Sequence, residues 1–396
     1  MKILYVTSRF PWPLDKGDKL RAFNQIKHLS KEHEISLFSI SQEIVQNEWI
    51  EKVKPYCASI EVFHLSKKMI VANIVIQLFS SLPFQCIFFY NERIANALHI
   101  YAGALRPDKI VFQLIRTTEY ARLFKKSDCV IDLMDCFSYH YFLRSKSLTA
   151  LSRWFYDREY RRIIKYETSI LKIYKDVIII SKKDKSLLPG DKRNVKVIGN
   201  GVQLPVTDLN PTKSCDLLFL GNLHYRPNIE AARFLLNEIL PLLKVNHPSL
   251  NVIIAGFDAK KRFGTPTIAN VQILENVENI LPLLQAVRVF VAPMFLSTGI
   301  QNKILEAMAS GVPVVTTPNA ADALGVLNGE HLLTAVSAME FRDQVSRILY
   351  EPGLASKLSV SARDFVTEHC NWTENNNLLR NVLLKNSTLS EAALYS

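Results

Sequence analysis

Val289-Phe-Val-Ala-Pro-Met-Phe-Leu-Ser-Thr-Gly-Ile-Gln-Asn-Lys-Ile-Leu-Glu-Ala-Met-Ala-Ser-Gly-Val-Pro-Val-Val-Thr-Thr317 is the stretch on which the reading of this chain turns. An apolar run ends at Pro293, a glycine-containing turn follows, a helix starts near Ile300, and Gly311-Val-Pro313 stops it before a second buried strand. Strand, turn, helix and strand make one unit of a parallel α/β sheet, whose ligands collect at the carboxyl ends of the strands. A helix N-terminus at that edge offers free N–H groups and a positive dipole end to phosphate oxygens. Gly299 lets the backbone come close, and Lys303, one turn in, adds a full charge. Glu306 shares a helix surface with Gln301, Asn302 and Lys303, while Ile304, Leu305 and Met308 form the apolar side. A carboxylate facing a ligand accepts both hydroxyls of a ribose. Equally, Glu306 is an ordinary surface acid with Lys303 as its i,i+3 partner, and these residues alone leave both readings open.

Outward from this stretch the same style repeats. Strand-like runs at 3–6, 35–39, 60–64, 109–113, 129–133 and 177–180 alternate with helical patterns in the first half, and runs at 216–220, 251–255, 271–274, 288–292, 313–316 and 332–335 do so in the second. The expected fold class is α/β, with two doubly wound Rossmann-like domains. The Gly-Asn-Gly and Pro punctuation after Val197, followed by a polar stretch containing Pro211, puts a connection near residue 205. The expected domains are therefore 1–205 and 206–370, with a C-terminal helical segment over 371–396 that packs back on the first.

At 396 residues the chain is long enough for two cores, and 48% apolar with 21% charged residues excludes a mainly disordered chain. The net charge of +11 favours anionic partners, and +8 of it, 14 basic against 6 acidic residues, lies between Arg144 and Arg193. There Arg153, Arg158, Arg161, Arg162 and Lys165 stand beside Trp154, Phe155, Tyr156 and Tyr160 on one long helix, either as a plain solvated face or as a surface for a membrane or a polyphosphate. No recognition helix or RNA-binding signature accompanies the charge, so nucleic acid is not an expected partner. The uncharged stretch from Met69 to Tyr90 is broken by Asn73, Gln77, Ser80, Ser81, Pro83 and Gln85, which argues against a membrane span. It reads as a buried helix, a turn at Pro83 and a second helix from Phe84, or else as a surface hairpin dipping Phe84, Phe88 and Phe89 into lipid headgroups beside Lys67 and Lys68. Six scattered cysteines without a CxxC pair, and a Met1 that runs straight into a strand-like stretch, point to a reduced, cytoplasmic chain.

The segment Gly299–Thr317 resembles the donor-binding signature of the family 4 glycosyltransferases of the GT-B fold, nearest to the sugar transferases of exopolysaccharide gene clusters. Five further stretches match that family in order: Arg9-Phe-Pro-Trp-Pro-Leu-Asp-Lys-Gly-Asp-Lys-Leu-Arg21, Val130-Ile-Asp-Leu-Met-Asp135, Arg158-Glu-Tyr-Arg-Arg162 with Tyr166-Glu167, Gly199-Asn-Gly-Val202, and Phe219-Leu-Gly-Asn-Leu-His-Tyr-Arg-Pro-Asn228. The resemblance implies two domains facing each other across a cleft, and transfer of a sugar from a nucleotide diphosphate donor to a saccharide or lipid-linked saccharide in surface polysaccharide biosynthesis. Retention at the anomeric carbon, no cofactor, no bound metal, and peripheral contact with the inner face of a membrane are further implications. Chemically, such a site must stabilise charge that accumulates on the departing diphosphate.

By position the resemblance assigns Glu306 to the ribose, Gly299, Ile300 and Gln301 to the donor sugar and phosphates, and Lys303 to the diphosphate. Gly17 would approach the phosphates through its backbone, with Asp18, Lys19 and Arg21 nearby at the mouth and Asp135 and Asn200 also lining the cleft. Asn200 and Gly201 would serve as the hinge. The chain departs from the wider family at Thr298, where a second glutamate is usual, at Asn222 and Pro227, where an arginine and a lysine are usual, and at Met134, where a histidine precedes the aspartate in many members. Asn222 and Arg226 are still counted among the donor-binding residues, Arg226 as a candidate substitute one residue from the missing lysine, while His140 and His224 are candidate substitutes for the histidine. These departures leave no assigned general base, and they keep two alternatives open: a nucleotide-sugar epimerase, or a catalytically weakened partner protein that still binds nucleotide-sugar.

Overall fold

The computed structural model describes residues 1–76, 80–146, 149–204, 213–264, 268–277, 279–296 and 299–384. They form two compact units, the first comprising Met1–Gly199 and the segment that starts at Thr373, the second Asn200–Trp372. The chain thus leaves the first unit after Gly199, and the break expected near residue 205 lies outside the described residues.

The first unit holds β1 (Lys2–Thr7), β2 (Glu34–Ser41), β3 (Ser59–His64), β4 (Lys109–Gln113), β5 (Cys129–Met134), β6 (Asp176–Ile179) and β7 (Val195–Val197), ordered β3-β2-β1-β4-β5-β6-β7. Every pairing is parallel. β4 and β5 are buried along their whole length, as strands covered by helices on both faces must be, which is why they read as continuous apolar runs. β7 is the one strand that the periodicity did not announce, because three residues are too few to show a period.

Two cores flank this sheet. One gathers Leu4, Val6, Phe112, Ile131 and Ile163, and the other Ile3, Tyr5, Phe23, Val130 and Ile178. The second core also takes in Leu379, Val382 and Leu383 from the helix Trp372–Leu384, so the last described helix completes the unit formed by the first 199 residues.

The stretch 69–90 is two helices, Lys67–Ile76 and Phe84–Phe89, with residues 77–79 outside the described ones. Cys86, Ile87 and Phe89 are buried and Phe84 and Phe88 half-buried, so Phe89 is core and not a lipid-dipping residue. Phe89 and Cys86 pack into the core of the first unit with Leu4, Val6 and Phe112, and Cys86 Sγ lies 3.4 Å from the carbonyl of Ile115. Among the described residues no helix is long and apolar enough to cross a membrane.

The second unit holds β8 (Cys215–Leu220), β9 (Val252–Gly256), β10 (Val271–Glu275), β11 (Val287–Ala292), β12 (Val314–Thr316) and β13 (Leu333–Thr334), again all parallel, ordered β10-β9-β8-β11-β12-β13. A single core built on Leu217, Phe219, Ile254, Val289, Val291, Ile304 and Met308 fills it. In both units the strand order reverses beside the first strand, between β1 and β4 and between β8 and β11, and a crevice opens at the carboxyl ends of such a strand pair.

Candidate functional site

In the second unit the helix Asn302–Ala309 starts past the end of β11 and meets the helix Arg226–Phe234 that follows β8. Ile304, Leu305, Ala307, Met308 and Ala309 bury its apolar side, which leaves Lys303 and Glu306 on the side toward the strand ends. The Gln301 side chain does not cap the helix; its Nε2 donates instead to the carbonyl of Gly299 at 3.0 Å, which leaves the first N–H groups without an acceptor from that side chain. Asn200 Nδ2 donates to Asn302 Oδ1 at 3.3 Å and steadies the helix start. Gly299 and Ile300 are half-buried in the turn before it, while Thr298 lies outside the described residues.

Lys303 is held from several sides. Its Nζ donates to Asn228 Oδ1, approaches Met294 Sδ at 3.6 Å and lies 5.2 Å from the centre of the Phe219 ring. Asn228 in turn donates through Nδ2 to the carbonyl of Asn222 at 2.9 Å. Gly221 permits this arrangement, because a Cβ there would stand 2.9 Å from Asn228 Cγ. Asn222 itself ties the loop, accepting the N–H of His224 on Oδ1 at 3.0 Å. Burial pushes the Lys303 ammonium down to about 7 against the pull of the Glu306 carboxylate, and burial pushes the Glu306 carboxyl up to about 7 against the pull of Lys303. The charge that opposes burial at each of the two groups is that of the other.

Arg226 is exposed at the start of the helix Arg226–Phe234, 4.0 Å from Glu230, and lines a pocket of about 450 Å³ with Glu230, Arg233, Phe234, Pro293 and Phe295. The residues lining that pocket include neither Lys303 nor Glu306. His224 pairs with Asp258 at 2.6 Å. Asn228, Met294 and Phe219 contact Lys303 and were not singled out from the sequence, although Asn228 closes the matched run Phe219–Asn228 and sits two places from Arg226.

In the first unit, Gly17 is exposed and opens the helix Gly17–Leu29. Asp18 is buried, its Oδ2 bound by Arg9 Nη1 at 2.6 Å and its carbonyl by Gln113 Nε2 at 2.9 Å. Lys19 and Arg21 correct the expectation of cations at a mouth. Lys19 Nζ is sunk between Asp15 (3.2 Å) and Glu43 (3.1 Å) beside the Trp49 ring. Arg21 is fully buried, with Nε 2.7 Å from Asp132 Oδ2 and Nη1 3.2 Å from the carbonyl of Gly199. Arg21 lies on the side of its helix that reaches the sheet, where the buried carboxylate of Asp132 in β5 requires a cation, whereas Lys19 is held by the carboxylates of Asp15 and Glu43. Asp135 is half-buried just beyond β5, where burial pushes its carboxyl up to about 6, with His140 opposing and Asp184 and Asp18 adding to the rise. His140 stacks on Phe137.

Comparison with known proteins bears on these arrangements. Residues 214–351 match the family described as Glycosyl transferases group 1. An uncharacterized 44.6 kDa protein in the cps region of Klebsiella pneumoniae is 21% identical over 388 residues, covering 93% of this chain and 96% of that one. Sucrose-phosphate synthase from Thermosynechococcus elongatus has the same fold, with a TM-score of 0.68 at 14% identity and full coverage of both chains. HepE of Anabaena, solved with UDP-glucose, superposes with a TM-score of 0.65 at 14% identity over 97% of this chain and 99% of its own. Residues 214–351, in the second unit, thus carry a Glycosyl transferases group 1 domain, and the chain shares the two-sheet parallel α/β fold of these GT-B proteins.

Proposed function

We propose that this enzyme transfers a sugar from a nucleotide diphosphate donor to a saccharide or lipid-linked saccharide acceptor during surface polysaccharide assembly. The observation that carries the donor half is the Lys303–Asn228 contact beside Glu306 at the carboxyl edge between β8 and β11. Glu306 accepts the ribose hydroxyls, Lys303 meets the diphosphate, and the unshared N–H groups at the start of the Asn302–Ala309 helix bind its oxygens. The charge that builds on the leaving diphosphate is met by these fixed groups, so the transfer runs without a bound metal. Retention follows if the acceptor attacks from the face the diphosphate leaves, its proton passing to a phosphate oxygen; no protein base is then required. The relative in a cps region and the UDP-glucose held by HepE support this reading.

The first unit takes the acceptor. A membrane-anchored acceptor accords with the exposed Trp154 and Phe155 on the basic helix Ala150–Ile173, where Arg153, Arg158 and Arg161 are also exposed, and with Val71 and Val75 exposed on the helix Lys67–Ile76.

Transfer assays with labelled UDP-, GDP- and ADP-sugars and membrane extracts test the proposal. One donor labelling a lipid or polysaccharide product, with the labelling lost in Glu306→Ala, supports it. Donor hydrolysis or epimerisation with no acceptor product, or labelling unchanged in Glu306→Ala, defeats it.

A further inference from the structure

Arg116 follows the end of β4, at the carboxyl edge beside β1 where the strand order of the first unit reverses. Its Nε donates to Gln85 Oε1 at 2.9 Å, and Gln85 Nε2 reaches the Tyr141 hydroxyl at 3.4 Å. The guanidinium lies 4.9 Å from the centre of the Phe89 ring and 6.0 Å from that of Phe137. Nη1 is buried without a hydrogen-bond partner, and no carboxylate among the described residues lies within ion-pair distance of the group. An arginine fixed on two aromatic faces and one amide has had its orientation set and its counter-charge left out, which costs free energy that a structural role would not require.

The nearest charges do not fill the gap. Arg9 adds a second cation, and the Asp18 carboxylate within electrostatic reach is already engaged by Arg9 at 2.6 Å, so the three together carry one net positive charge. Burial, and then Arg9, push the Arg116 guanidinium down to about 10, which leaves it charged at neutral pH. The fork of N–H donors in arginine matches the paired oxygens of a carboxylate or a phosphate.

We propose that Arg116, with Arg9 beside it, receives an anionic group of the acceptor, a carboxylate or a phosphate. The role rests on the reading that the first unit takes the acceptor. Arg116 would then be a specificity residue, since a neutral acceptor leaves the buried guanidinium unpaired and is disfavoured. The helix Phe84–Phe89 is the support, supplying both Gln85 and Phe89.

Ligand-observed NMR on the wild-type protein, with and without UDP, uses three probes: methyl glucoside, methyl glucuronide and methyl glucoside 6-phosphate. Binding of one charged sugar at least tenfold tighter than the neutral one supports the subsite, and which one binds separates a carboxylate from a phosphate. Equal binding of all three, or no binding of the charged pair, overturns it in the wild type, whatever the variants do. Arg116→Gln should abolish the preference and Gln85→Leu should weaken it with the fold intact by circular dichroism; an unchanged preference in a folded Arg116→Gln also overturns it. The UDP-induced rise in melting temperature should persist in Arg116→Gln. If wild type shows the anion preference but neither nucleotide response nor transfer, the transferase reading fails and the anion site stands.

Discussion

Asn228 accepts a hydrogen bond from the Lys303 ammonium and thereby joins the helix Arg226–Phe234 that follows β8 to the helix after β11, the two segments that flank the strand reversal of the second unit. Asn228→Ala removes the acceptor and leaves Lys303 mobile and unpaired, at about 1–3 kcal/mol. UDP affinity should fall roughly tenfold by calorimetry, with Asn228→Asp falling further because a carboxylate there would neutralise the charge meant for the diphosphate. Undiminished affinity in both variants would detach Lys303 from the donor.

Lys303 and Glu306 predict how nucleotide binding moves protons. At pH 8 the Lys303 amine, with its value near 7, is mostly neutral, and a diphosphate beside it favours the charged form, so binding takes up close to one proton. At pH 6 the Glu306 carboxyl is mostly protonated, and accepting ribose hydroxyls favours the ionised form, so protons are released. Titrations in buffers of different ionisation enthalpy should show this reversal in wild type, with the uptake at pH 8 gone in Lys303→Met.

Glu306→Gln should stabilise the unliganded protein while it cripples donor binding. The folded value of Glu306 is raised from 4.5 to about 7, so between those values the folded state holds a proton that the unfolded state has lost, and stability falls as pH rises through that window. The penalty is complete above about 7 and absent below about 4. A melting temperature higher than wild type by a few degrees at pH 8, converging toward pH 4, is the expected outcome; parallel curves at all pH values would contradict it.

Arg21 and Asp132 form a fully buried pair, so removing one charge strands the other. Arg21→Met should cost about 3–5 kcal/mol in urea unfolding, and adding Asp132→Leu should recover part of that loss. A surface role for Arg21 would give a change under about 0.5 kcal/mol.

Leu379 lies fully buried in the second core of the first unit. Leu379→Ala should destabilise by about 2–5 kcal/mol, and limited proteolysis should then cut first within residues 1–199 while 213–351 stay intact. Equal sensitivity of the two regions would mean that the helix does not belong to the first unit's core.

The architecture was legible because parallel strands covered on both sides are uninterrupted apolar runs, and all but β7 among the strands could be marked from that pattern alone. The glycine turn and the helix carrying Lys303 and Glu306 were legible for a related reason, since Gly311-Val-Pro313 and the apolar face fix the helix and with it the polar side. The partners of Lys303 were not. Asn228 comes 75 positions earlier, and only the pairing of β8 with β11 places it there. Lys19 and Arg21, expected near a mouth, are buried, and charge in a sequence gives no sign of this: Asp15 is four residues from Lys19, but Glu43 and, for Arg21, Asp132 come from distant parts of the chain. Arg116 was invisible for the converse reason, an ordinary arginine made unusual by Phe89 and Gln85 from another helix.

The helix Trp372–Leu384 also bears on the order of events during synthesis. The second unit is an insertion into the first, and everything it needs has left the ribosome once Trp372 has emerged. The first unit, begun at Met1, waits with Ile3, Phe23 and Val130 uncovered until Leu379, Val382 and Leu383 arrive. The half of the enzyme translated first is therefore the half finished last, and a chain stalled between residues 372 and 379 carries a complete second unit on an unsealed first one, a state that chaperones would recognise by its exposed apolar sheet face.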